Sequence, residues 1–146
     1  MLNPGECSKI LRLLGQFLEQ EEAEEIGIED HEEYVEVSWR NQSGHREERY
    51  HDADELAALR LSAELYRGSA DSRHYGLAEL LRTLGQELDD LQLEGVAIAA
   101  TPDGFFASGR VRGNELSRTY TQRELLARAQ SYRRQRGASS GSTPAR

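Results

Sequence analysis

The stretch Leu11-Arg12-Leu13-Leu14-Gly15-Gln16-Phe17-Leu18-Glu19 returns seventy residues later as Leu81-Arg82-Thr83-Leu84-Gly85-Gln86-Glu87-Leu88-Asp89. A repeat at fixed offset constrains a fold more than composition does, because each copy is a supersecondary unit that buries its apolar face against its neighbour. Without a gap, residues 11–67 laid on 81–137 are identical at 13 of 57 positions: Leu11, Arg12, Leu14, Gly15, Gln16, Leu18, Glu24, Ile28, Ser38, Arg40, Tyr50, Leu56 and Ala57. Unrelated chains of ordinary composition match at about one position in fifteen. Two leucine-rich helices in chance alignment would not keep Ser38/Ser108, Arg40/Arg110 and Tyr50/Tyr120 in register through a strand region. The chain therefore reads as a tandem duplication.

The local patterns give each copy the same order. Cys7, Ile10, Leu11, Leu14, Phe17 and Leu18 recur at three and four, the spacing of one helical face. Gly15 interrupts that helix at a cost of about 1 kcal/mol relative to Ala, and Gly85 repeats the interruption, as if backbone approached backbone there. Ile26 and Ile28 alternate, and after a turn at Asp30-His31-Glu32 the run from Tyr34 to Arg40 alternates again, as half-buried strands do. Val35, Val37 and Trp39 should face the helices, with Tyr34, Glu36, Ser38 and Arg40 outward. The almost wholly polar strand from about Arg46 to Tyr50 suits a sheet edge, where charge discourages mispairing. Asp52, with Glu55 three residues on, opens a second helix buried through Leu56, Leu59, Ala63 and Tyr66.

The second copy repeats this order. Leu77, Leu80, Leu81, Leu84, Leu88 and Leu91 form its first helix; Gly95 to Ala100 its first strand; and Thr101-Pro102-Asp103-Gly104 a tight turn. Phe105 to Val111 is the second strand, and Arg112-Gly113-Asn114 turns into the third. Thr121 and Glu124 have capping-box spacing, with Tyr120 and Leu125 as the staple, ahead of a helix running to about Arg134. The expected fold is α+β, a tandem pair of αβββα units packed as an internal pseudo-dimer. Its divisions are 1–68 for the acidic first copy, 69–76 for the joint, 77–136 for the second copy and 137–146 for a disordered tail. A unit of about 60 residues buries too little surface to be robust alone, so the copies are expected to share a core.

Charge is split between the halves. The whole chain of 146 residues carries −8, but residues 1–70 hold 17 acidic and 7 basic side chains, whereas 71–146 hold 9 and 11. The single Cys7 excludes an intrachain disulfide and a cysteine-based metal cluster. No apolar run approaches the roughly 18 residues a bilayer requires, and Met1 to Ser8 lacks the basic-then-apolar pattern of a signal peptide. A cytoplasmic location, no membrane partner and no cofactor are expected.

Three groups of residues are candidates for function. Arg110, Arg112, Arg118, Arg123, Arg128 and Arg134 could contact a partner or phosphates, since guanidinium groups suit bidentate contacts; helix, three strands, helix is also the order of double-stranded-RNA-binding domains. Ala97, Ala99 and Phe106 form a second apolar face on the second sheet, the mark of a surface covered by the other copy or by another chain. His45 and His51, followed by Asp52 and Asp54, could hold a metal or an acid–base pair, but no HExxH spacing supports them and no metal site is assigned. The expectation is a non-enzymatic protein that binds another protein, homodimers included. A nucleic-acid binder using the Arg-rich face and an enzyme with a site between the copies are the alternatives.

Overall fold

Leu11, Leu14 and Leu18, spaced at three and four, lie fully buried along helix α1 (Cys7–Gln20), and Leu81, Leu84 and Leu88 do the same along α2 (Leu77–Leu91). The structure, a computed structural model, describes residues 5–51 and 76–141, and for 133–141 the helical backbone alone. Strands β1 (Glu24–Asp30), β2 (Val35–Asn41) and β3 (Gly44–Tyr50) follow α1. Strands β4 (Glu94–Thr101), β5 (Gly104–Val111) and β6 (Asn114–Thr121) follow α2 and lead into α3 (Gln122–Gly141). The helix expected from Asp52 onward and nearly all of the 69–76 joint lie outside the described residues.

Each set of three strands is an antiparallel meander, and the two meanders join edge to edge as one six-stranded sheet in the order β3-β2-β1-β4-β5-β6. The polar strand β3 takes an edge, as its composition predicts. At the junction Ile28 lies opposite Ile98, Gly27 opposite Ala99 and Glu29 opposite Ala97. Ile28 and Ile98, seventy apart, thus meet at a local two-fold axis that exchanges the flanking pairs on either side of them. Both inner strands carry a bulge at the same place, between Glu24 and Gly27 and between Glu94 and Ala97, with left-handed φ at Glu25 and Gly95. The two halves do not meet through the face bearing Ala97, Ala99 and Phe106. They meet through strand pairing and through α1 against α2.

Helices α1 and α2 run antiparallel over one face of the sheet, and glycine sets their separation. A Cβ placed on Gly15 would lie 2.6 Å from the Ala78 Cα, and one on Gly85 would lie 2.6 Å from the Ser8 Cα. The same two-fold relation orders the helix ends. Neither α1 nor α2 has a side-chain cap from its own N-cap residue. Instead Asp89, in the last turn of α2, accepts from the backbone N–H groups of Gly5, Cys7 and Ser8 at 3.0, 2.9 and 3.1 Å. Glu19, in the last turn of α1, accepts from Ala78 N–H at 2.9 Å. An acid in the last turn opposes its own helix dipole, but across an antiparallel crossing each acid meets the positive end of the other helix.

Beneath the helices one core runs through both halves: Ile26, Ile28, Val35, Val37 and Trp39 from β1 and β2, Val96, Ile98, Phe105 and Ala107 from β4 and β5, and Tyr50 and Tyr120 from the outer strands. Phe17 sets its ring edge-on to Trp39 with centroids 5.3 Å apart. Helix α3 closes the second half with Leu125 and Ala129. The nearly buried Glu87 of α2 holds it, accepting from Arg128 Nη1 at 2.8 Å and from the Tyr132 hydroxyl at 2.7 Å. Burial, reinforced by that bond, raises the Tyr132 pKa. Thr121 caps α3 as its spacing with Glu124 predicts, Glu124 N–H donating to Thr121 Oγ1 at 3.1 Å, while the Thr121 hydroxyl donates to Glu124 Oε1 at 3.1 Å. The helix continues to Gly141, beyond the expected end near Arg134 and into the stretch expected to be disordered. Leu126, matched to Leu56 in the sequence comparison, is 47% exposed whereas Leu125 is buried, so that identity does not mark a shared core position.

Cys7 lies fully buried at the start of α1. Burial, with the Asp89 carboxylate adding to it, pushes its thiol from the ordinary 9.0 up to about 12. The folded protein is therefore expected to react with thiol reagents at pH 8 about a thousandfold more slowly than the urea-unfolded chain; equal rates would refute the burial. Because the folded pKa is the higher one, this thiol leaves stability unchanged below pH 9.0 and removes it progressively between there and about 12.

Candidate binding surface

Among the described residues, the face of the sheet away from the helices carries no covering element. Strand alternation places His45, Glu47 and Arg49 of β3 there, then Glu36, Ser38 and Arg40 of β2, Gly27 and Glu29 of β1, Ala97 and Ala99 of β4, and Phe106, Ser108 and Arg110 of β5. Its centre is small and apolar, with Gly27 opposite Ala99 and Ala99 opposite Phe106. Ala99 is exposed, and Phe106 remains 41% exposed. Ala97, half-buried, lies on the same face. Among the described residues no element packs on them.

The arginines are dispersed. Arg110 lies on the open face, its guanidinium folded over the bulge so that a Cβ on Gly95 would come 2.8 Å from Nη2. In the other half Arg40 makes the corresponding contact as an ion pair, Nε to Glu25 Oε2 at 3.3 Å. Arg112 has left-handed φ in the two-residue turn between β5 and β6. Arg118 pairs with Ala107, which puts it on the helix side of the edge strand β6. Arg123 is exposed in the first turn of α3, and Arg128 is paired with Glu87. The side chain of Arg134 lies outside the described residues.

At the β1–β2 end of the open face the structure assembles a group that sequence reasoning missed. Glu29 and Glu36 are direct cross-strand partners. His31, just beyond β1, turns back so that its Nε2 is 3.3 Å from Glu29 Oε2 and 3.4 Å from Glu36 Oε2. Its ring rests on Tyr34 at 4.6 Å, and Tyr34 in turn lies against His51 at 5.5 Å and beneath the Arg49 guanidinium at 5.0 Å. A hydrogen bond donated by the Glu47 carboxyl, when it holds its proton, to Glu36 lowers Glu36 below the ordinary carboxylate range, helped by Arg49 and His31, and raises Glu47. The signal lay in hairpin arithmetic: a turn at 31–34 pairs residue 30 with 35 and therefore 29 with 36. The sequence reading had grouped His45 with His51 instead, and His45 lies 3.9 Å from Glu47, not at this cluster.

Between the halves, a cleft of about 440 Å³ opens at the start of β1, lined among others by Glu24, Glu25, Leu77, Leu80, Phe105 and Gln122. No helix among the described residues is long and apolar enough to cross a membrane. No protein-family model matches the chain, and comparison with curated proteins and with solved structures returned no match.

Proposed function

We propose that the protein is a non-enzymatic, duplicated αβββα protein that works by binding another protein through the open face of its sheet, a second copy of itself being the first partner. The observation that carries this reading is the apolar centre made by exposed Phe106 and Ala99 with half-buried Ala97, on β4 and β5. Sheet centres are ordinarily covered, and a contiguous exposed apolar patch marks an interaction surface. The face spans six strands of seven or eight residues. At about 4.8 Å between strands and about 3.3 Å per residue this is close to 700 Å², near the roughly 800 Å² that each partner contributes to a stable interface. Around the apolar centre stand charges of both signs, Glu29, Glu36 and Glu47 with Arg40, Arg49 and Arg110, which suits an isologous contact. Duplication is supported by three relations at the 70-residue offset: Ile28 opposite Ile98, the Gly15 and Gly85 crossings, and the reciprocal Glu19 and Asp89 contacts.

Sedimentation velocity of the full chain between about 1 and 100 µM is expected to show a dimer that the Ala99→Glu/Phe106→Glu variant converts to a folded monomer, since buried unpaired carboxylates are costly. A wild type that stays monomeric throughout would remove the self-association reading. Salt-sensitive binding of a nucleic-acid duplex, abolished by Arg110→Glu/Arg112→Glu, would replace it with the Arg-based one.

A further inference from the structure

We infer that Glu29, His31 and Glu36 form a binding site for a divalent first-row transition ion of the Zn²⁺ type. This goes beyond the proposed protein-binding role and does not rest on it.

Two glutamates directly opposite each other on an antiparallel pair destabilise it unless positive charge lies between them. The geometry shows what is held in that place. His31 Nε2 is itself fully buried and makes no hydrogen bond, although the side chain as a whole is 38% exposed. The ring is positioned by stacking on Tyr34 and by a turn closed through His31 N–H donating to the Tyr34 carbonyl at 2.8 Å. Its nitrogen thus points between two carboxylates, within ion-pairing distance of both but without a well-formed hydrogen bond to either. A charge-assisted N–H···O⁻ bond would be about 2.7–2.9 Å long, whereas the separations here are 3.3 and 3.4 Å. Those two separations match two of the ligand-to-ligand edges, about 3.3–3.4 Å each, of a tetrahedron with metal–ligand bonds of about 2.0–2.1 Å. All three donor atoms lie within 4.8 Å of one another.

The donor set selects the ion. One imidazole nitrogen and two carboxylates favour Zn²⁺ over Mg²⁺ or Ca²⁺, which take oxygen-only shells. Three protein ligands leave one position open to solvent or to a partner's donor group. The site belongs to the first half alone, because the corresponding positions in the second are Ala99, Thr101 and Phe106. Bound there, the ion would neutralise the facing glutamates and pin the β1–β2 hairpin at its turn.

The test is isothermal titration of the full chain with Zn²⁺, and in parallel with Mg²⁺, beside His31→Gln, Glu36→Gln and, as a control on the same face, His45→Gln. Circular dichroism confirms that each variant is folded. One Zn²⁺ per chain is expected, with affinity reduced at least about tenfold in His31→Gln and in Glu36→Gln and unchanged in His45→Gln. Absence of saturable Zn²⁺ binding, or binding undiminished in His31→Gln, would overturn the assignment. So would Mg²⁺ binding as tightly as Zn²⁺, which would mark a non-selective acidic patch.

Discussion

Replacing Gly85 by Ala is expected to lower the stability of the protein by about 2 kcal/mol, and replacing Gly15 to do the same, even though Ala favours a helix by about 1 kcal/mol over Gly. The sign is decided at the helix crossing. A new Cβ on Gly85 would stand 2.6 Å from Ser8 Cα, 2.7 Å from Ser8 N and 2.8 Å from the Cys7 carbonyl carbon, all backbone atoms of α1. No flexible side chain is there to yield, so the helices must move apart. That disturbs the packed leucines and the Asp89 contacts to the α1 N-terminus together, at the upper end of overpacking costs, about 3 kcal/mol. Urea denaturation of Gly15→Ala and Gly85→Ala, with Gln16→Ala as a neighbouring control, measures this. A gain of stability in either glycine variant would show that α1 and α2 do not touch as described.

Ile98→Ala is expected to cost about 2–5 kcal/mol, the range for truncating a fully packed isoleucine, against a total stability on the order of 5–15 kcal/mol. Ile98 is 2% exposed and faces Ile28, itself fully buried, where β1 pairs with β4. The consequence extends beyond one half. Because one sheet and one core run through both, the variant should still unfold in a single transition, seen alike by Trp39 fluorescence in the first half and by far-ultraviolet dichroism of the whole chain. Loss of the first signal at a different urea concentration from the second would mean that the halves fold independently and that the β1–β4 junction is not a structural bond between them.

Much of this architecture is legible residue by residue. The three-and-four spacing of Leu11, Leu14 and Leu18 makes α1 helical with one buried face, and the alternation of Val35, Val37 and Trp39 places them toward the core. The polarity of His45 to Arg49 suits β3 to the sheet edge. Other features follow no local rule. Asp89 and Glu19 read as ordinary solvated acids at helix ends, since nothing in their neighbourhood says that the opposite helix brings amide groups to them. The two apolar faces of β4 suggest a covered strand, yet the first half approaches it from the side, and Ala99 and Phe106 stay open.

Among the described residues, the type, order and inward faces of the elements and the seventy-residue correspondence between halves follow from periodicity and from turn residues within a few positions of one another, whereas the extension of α3 past Arg134 does not. Tertiary structure alone decided that the halves join by pairing β1 with β4 and that glycine meets backbone across the helix crossing. It also decided that Glu29, His31 and Glu36 converge while the arginines disperse over both faces and the turns. The physical reason is the same in each case. Side-chain pattern specifies which face of an element is buried, but which elements become neighbours, and at what register, is set by the packing of the whole core.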